Sequence, residues 1–210
     1  MLHKEAIEPG SLELLKNLQS DIKLAGFNLA GGTSLAMQIG HRKSIDLDLF
    51  TLDDFDSNSL LEYLESAFRF KLNFSSVNTL KGHIDDINVD FISHKYPVVK
   101  QPLSEEGMRL YSIEDIAAMK LNAIAGNGTR SKDFIDIYFI LRQYKIDDIL
   151  SFYKTKYTGR NQLHVIKSLT YFDDIRTHDF PKMILEKELS LTEVRNLISL
   201  NVNNFSKKFL

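Results

Sequence analysis

The stretch Ile45-Asp46-Leu47-Asp48-Leu49-Phe50 alternates apolar and acidic positions with period two. That is the pattern of a strand burying Ile45, Leu47 and Leu49 and turning Asp46 and Asp48 to its other face. Just upstream, the short apolar piece 27–30 meets Gly31-Gly32, and 33–39 reads as one or two helical turns stopped by Gly40. The same reading predicts helices over 11–24 and 59–67 and a strand pair over 70–76 and 77–84. After a turn at Asp85-Asp86 comes Asn88-Val89-Asp90-Phe91-Ile92, a strand in which Val89 and Phe91 are apolar and Asp90 faces away from them. This strand group is expected to end near Ser93, and Pro97 and Pro102 mark a polar connection over 95–106.

Beyond that connection the periodicity becomes helical. Ser112 caps a helix reaching Ile124, with Asp115 in a capping-box position and Ile116, Met119 and Ala123 on one face, Lys120 at its edge. After the break Gly126-Asn127-Gly128, a second helix over 130–141 packs Phe134, Ile137 and Leu141 inward and leaves Lys132, Asp133 and Asp136 as polar outliers. Further helices are expected over 146–157, 161–170 and 191–207, the last preceded by the capping-box pair Ser190 and Glu193. The chain thus divides into a sheet-bearing half, 1–100, and a helical half, 101–210.

Composition narrows the function classes. A hydrophobic fraction of 43% over 210 residues is enough to bury a core. There is no run long and apolar enough for a membrane span and no basic-then-apolar leader, so a cytoplasmic protein is expected. The absence of cysteine excludes disulfides and thiolate metal sites. His3, His41, His83, His94, His164 and His178 show no ligand spacing that would argue for zinc. A net charge of −2 means that any RNA contact must rest on a local patch. The stretch Tyr153-Lys154-Thr155-Lys156-Tyr157, continuing to Arg160, His164 and Lys167, mixes cations with aromatics as such a patch would; a solvated helix face is the competing reading.

Two features carry chemistry. Gly31-Gly32 lets the backbone approach a ligand closely, and Thr33 and Ser34 open a helix whose unpaired N–H groups and dipole suit a polyphosphate. Two carboxylates held about 4 Å apart at an effective dielectric near 20 repel by roughly 4 kcal/mol, which favours a shared proton or a bound cation. Hard oxygen donors favour Mg²⁺ or Mn²⁺, which normally also coordinate substrate phosphates. No Gly-Lys-[Ser/Thr] follows the glycines, so this is not a Walker loop.

A Gly-Gly-[Ser/Thr] turn, a helix and then an Asp-x-Asp strand follow in the order seen in DNA-polymerase-β-like nucleotidyltransferases, which the span Gly31–Asp48 resembles. The fuller set adds His41-Arg42-Lys43-Ser44 before the acidic strand, then Val89-Asp90-Phe91, Met119-Lys120-Leu121 and Lys132-Asp133-Phe134-Ile135-Asp136-Ile137-Tyr138. Over nearly the whole chain this resembles the AbiEii/AbiGii nucleotidyltransferase toxins of abortive-infection and type IV toxin–antitoxin pairs, with the MenT toxins as relatives. The resemblance implies an α+β fold: a polymerase-β-like core with a small mixed sheet flanked by helices, and a helical C-terminal half that completes an active-site cleft. It implies transfer of a nucleotide from an NTP to an acceptor hydroxyl, with Mg²⁺ or Mn²⁺ on Asp46 and Asp48 and with Asp90 as a third metal ligand or general base. Gly31, Gly32, Thr33 and Ser34 would hold the triphosphate and Lys120 would contact it. Arg42 and Lys132 fall among the nucleotide-binding residues, and Asp136 completes the polar site. The implied acceptor is the end of a tRNA, and the implied partner is an antitoxin encoded nearby, which need not form a stable complex. Two other readings remain open at this point: a small-molecule nucleotidyltransferase of the antibiotic-modifying kind, and a noncatalytic nucleotide-binding protein of the same fold.

Overall fold

The computed structural model describes residues 1–209. The chain forms two compact units, Met1–Tyr96 with Pro102–Tyr111, and Pro97–Gln101 with Ser112–Leu210.

In the first unit β1 (Asn28–Leu29), β2 (Leu47–Thr51), β3 (Lys71–Ser76), β4 (Thr79–Ile84), β5 (Ile87–Ser93), β6 (Leu103–Glu105) and β7 (Met108–Leu110) form one mixed sheet in the order β3-β4-β5-β2-β1-β7-β6. β2 runs parallel to β5 and β1 parallel to β7, while the other neighbours are antiparallel. Alternation decides which face is dry. Leu47 and Leu49 of β2, Val89 and Phe91 of β5 and Leu80 of β4 point into the core. There they meet Leu15 and Leu18 of α1 (Pro9–Ser20), Met37 of α2 (Gly31–Ile39) and Leu64 of α3 (Ser57–Phe68). Phe91 is the centre of this core, with Phe27 and Phe70 edge-on to its ring at 5.4 and 5.9 Å.

Several boundaries depart from the periodicity. The first helix ends at Ser20, where Asp21 turns extended and accepts a hydrogen bond from the backbone of Lys23, starting a separate helical turn. β2 begins at Leu47, and Ile45 is 49% exposed rather than buried, because pairing with β5 starts only at Leu47↔Val89. The sheet does not end near Ser93. The proline-containing connection holds the β6–β7 hairpin, with Glu106 and Gly107 at positive φ in its turn, and that hairpin extends the sheet beyond β1. Strands of three residues are too short to show a period.

In the second unit α4 (Ile113–Gly126) packs against α5 (Ser131–Ile140), α6 (Ile146–Lys156) and α7 (Gln162–Leu169), and α8 (Leu191–Ser206) closes on α5, α6 and α7. Ser190 and Glu193 form the expected capping box. On α4 the buried face runs through Ile116, Ala117, Lys120, Leu121 and Ile124, so Met119 and Ala123 sit beside it and not at its centre. The capping residue Asp115 has a larger role than its spacing suggests. Fully buried, its carboxylate accepts hydrogen bonds from the backbone of Val99 and Lys100, from Ser112 Oγ and, at 2.7 Å, from the equally buried Lys156 Nζ. Lys156 also donates to the carbonyl of Pro97. One ion pair therefore ties 97–100 to α4 and α6.

Removing one partner of a buried pair leaves the other charge uncompensated. Lys156→Met should lower stability by about 3–5 kcal/mol in urea unfolding, whereas the exposed Lys154→Met should change it little. Equal, small effects from both would contradict the clamp.

Candidate active site

α2 starts at the glycines themselves. Ala30 is its N-cap and offers no side-chain cap, so the first N–H groups, those of Gly31, Gly32 and Thr33, have no intrahelical carbonyl to bond. The backbone is pinned there by Ala30 N–H donating to Asp48 O at 2.7 Å. Gly31 lies at φ +65°, and a Cβ on it would stand 2.1 Å from Asp48 Oδ2. The carboxylate of Asp48 thus rests against the positive end of the helix, and only glycine leaves room for both.

Register builds the rest of the face. On the sheet side away from the core, Asp48 of β2 is the direct neighbour of Asp90 on parallel β5, and Asp90 is opposite Lys81 on antiparallel β4. Lys81 Nζ pairs with Asp90 Oδ2. One residue before β2, Asp46 is exposed and its Oδ1 accepts from Asn88 Nδ2 at 3.0 Å. Lys81 and Asn88 were not singled out from the sequence. Counting outward from the two-residue turn Asp85-Asp86 puts Lys81 across from Asp90, which is the signal that could have found it.

The hydroxyls expected to grip phosphate are turned elsewhere. Thr33 is buried, its Oγ1 bonded to Ser44 Oγ at 2.8 Å and to the carbonyl of Asp46. Ser34 is buried with its Oγ donating to Tyr111 O at 3.3 Å. These side chains fasten α2 to the segment before β2 and to the end of β7, and the anion-binding capacity lies in the backbone N–H groups. Arg42 is buried as well, with Nη1 donating to Lys43 O.

In the second unit Lys120 of α4 sits between two carboxylates of α5, with Nζ 2.6 Å from Asp133 Oδ1 and 2.7 Å from Asp136 Oδ2. All three are buried, and Arg130 Nε stands 3.9 Å from Asp133 Oδ2 at the rim. The polar outliers of the second helix are therefore inside, and only Lys132 of that group reaches the half-exposed surface. The basic, aromatic stretch divides, with Lys154, Arg160, His164 and Lys167 exposed. Tyr153, Tyr157 and Lys156 are core residues. Tyr171, exposed nearby in the chain, has its phenol pushed up by the charge of Asp174.

Among the described residues no group of three or more His, Cys, Asp or Glu gathers to hold a metal. Asp46, Asp48 and Asp90 thus do not form the expected three-carboxylate cluster, since Asp90 is paired with Lys81. Asp46 and Asp48 remain as hard oxygen donors beside an anion cradle, a set that fits an ion sharing its coordination with substrate phosphates. No helix among the described residues is long and apolar enough to cross a membrane.

Comparison with known proteins bears on the fold and the family of the chain. An uncharacterized protein of Aquifex aeolicus (strain VF5) is 35% identical over 156 residues, covering 71% of this chain and 75% of that protein. A crystal structure from H. pylori assigned as a nucleotidyltransferase superposes with a TM-score of 0.59 at 18% identity, and that of JHP933 from Helicobacter pylori with 0.52 at 17%; each match covers 96% of both chains. At such identities these two structures speak for the fold alone. The family model described as "Nucleotidyl transferase AbiEii toxin, Type IV TA system" matches residues 13–97 and 69–209. The chain belongs to the AbiEii nucleotidyltransferase toxin family of type IV toxin–antitoxin systems.

Proposed function

We propose that this chain is the toxin of its pair and transfers a nucleotidyl group from an NTP to a hydroxyl of RNA, at the acceptor end of tRNA, with release of pyrophosphate. The observation that carries the reading is the alignment of Asp48 and Asp90 on adjacent strands beside the uncapped N-terminus of α2, with Gly31 leaving no Cβ between carboxylate and helix. An anion cradle next to carboxylates suits a triphosphate with its cation.

The residues divide the work by charge. Backbone N–H groups of Gly31, Gly32 and Thr33 bind and orient the β- and γ-phosphates, while Thr33 and Ser34 fix the helix that presents them. Asp46 and Asp48 would hold Mg²⁺ or Mn²⁺, which when bound neutralises phosphate charge and lowers the pKa of a hydroxyl. Asp90, with Oδ2 on Lys81, takes the proton of the attacking hydroxyl at Oδ1. Lys120 serves by holding α4 to α5 through Asp133 and Asp136. The partner implied by the family, an antitoxin, would act by opposing the product or its formation and needs no permanent contact with this chain.

Asp48→Asn keeps the volume and removes the charge, so it should retain the fold and lose at least about a hundredfold in transfer, given the several kcal/mol that a positioned cation supplies. Incubation of the purified protein with labelled NTP, Mg²⁺ and total RNA reads this directly, and full activity in the variant would refute the site. Gly31→Ala should cost about 1–2 kcal/mol of stability for its left-handed backbone and reduce transfer more than that loss explains, because Asp48 Oδ2 must move. Lys120→Ala should lower the urea midpoint as strongly as Lys156→Met; unchanged stability would contradict its role in holding α4 to α5.

A further inference from the structure

The row that contains the two carboxylates does not stop at Lys81. Lys81 is in register with Phe74 on β3, so Phe74, Lys81, Asp90 and Asp48 stand side by side on four neighbouring strands, all on the face away from the core. Beside it runs a second row, Lys71 of β3 opposite His83 of β4, and His83 opposite Asn88 of β5, which holds Asp46. Both rows begin at the sheet edge. All six residues of β3 are exposed, and Phe74 shows 52% of its surface.

The order along the first row carries direction. The anion cradle lies at the Asp48 end, and an in-line displacement puts the leaving pyrophosphate and the attacking hydroxyl on opposite sides of the reacting phosphorus. With the triphosphate at Gly31 and Gly32, the acceptor comes from the Asp90 side, where Lys81, Lys71 and the ring of Phe74 lie. Strand spacing of about 4.8 Å puts Phe74 about 10 Å beyond Asp90, the reach of a nucleotide with its hydroxyl at the carboxylate and its base at the ring. Lys71 is exposed and Lys81 is half-buried on its pair with Asp90, so two ammonium groups stand beside one carboxylate on this half of the face, a local excess of positive charge complementary to a phosphodiester backbone and repulsive to a polyamine. An unpaired base stacks on an exposed aromatic without regard to its identity.

We infer that Phe74, Lys81 and Lys71 form the acceptor subsite, holding the terminal nucleotides of a single-stranded RNA 3′ end with a base on Phe74 and phosphates on the two lysines. The inference rests on the transfer of nucleotides to RNA proposed above. Phe74 and Lys71 are positioning residues. Lys81 has a double part, because its pairing with Asp90 couples phosphate binding to the group that takes the proton.

The test is direct binding of a fluorescent single-stranded RNA of about ten nucleotides with a free 3′ hydroxyl to the full chain, beside binding of a fluorescent NTP analogue. Phe74→Ala should weaken RNA binding about tenfold, Phe74→Tyr should restore it, and Lys71→Ala should reduce the salt slope of RNA binding by about one. NTP affinity should be unchanged in all three. Both positions lie on an exposed edge strand, and unchanged NTP binding also certifies the fold. RNA affinity equal to the parent's in Phe74→Ala and Lys71→Ala, or no RNA affinity in the parent, would overturn the subsite. Pyrophosphate release on RNA is scored separately: transfer that survives with equal affinity in the variants sinks the subsite alone, and RNA binding through Phe74 without any transfer sinks the reaction alone.

Discussion

The parallel pairing of β2 with β5 is the constraint on which the site depends. Leu47 and Leu49 are locked beside Val89 and Phe91 on the buried face, and because side chains alternate, the same lock brings Asp48 beside Asp90 on the other. A slip of β2 by one residue would send Asp48 into the core and Leu47 and Leu49 into water, while Asp90 on β5 stayed where it is. Hydrophobic burial, a nondirectional force, thereby sets the position of charged groups to within a strand spacing. The hydrogen bond from Ala30 N–H to Asp48 O then brings α2 to the same place, so the cradle and the carboxylates share one backbone reference.

Electrostatics on this face is graded. The helix terminus and the acidic residues alternate in sign with Lys81 beyond them, so no large field of one sign builds up in a chain of net charge −2. The second unit handles charge differently. Lys120 with Asp133 and Asp136, and Lys156 with Asp115, are taken out of water, where pairing is a condition of folding rather than a bonus. Displacing α4 from α5 or α6 would leave a buried charge without its counterion.

Much of this was legible in the sequence. Period-two alternation located Asp48 on the side of its strand away from Leu47 and Leu49, though not Asp46, which precedes the strand, and Gly40, Ser112 and the Ser190–Glu193 pair marked helix ends that the structure shares. What escaped has a common cause. Periodicity tells which way a side chain faces along its own element and nothing about who stands opposite. Lys81 beside Asp90, Asn88 beside Asp46 and Lys156 against Asp115 are all facts of pairing. Polarity was also a poor guide to exposure: Thr33, Ser34, Asp133 and Asp136 are hydrophilic by type yet buried, each supplied with an internal partner.

The path of the chain has a practical corollary. Residues Pro97–Gln101 belong with the helices and Pro102–Tyr111 with the sheet, so the polypeptide changes allegiance three times between Tyr96 and Ser112. Excision at the midpoint would strip the sheet of its β6–β7 border while depriving Asp115 of the backbone amides it binds. Neither fragment would inherit a finished interior, and splitting or shuffling the gene at that seam amounts to dismantling two folds at once.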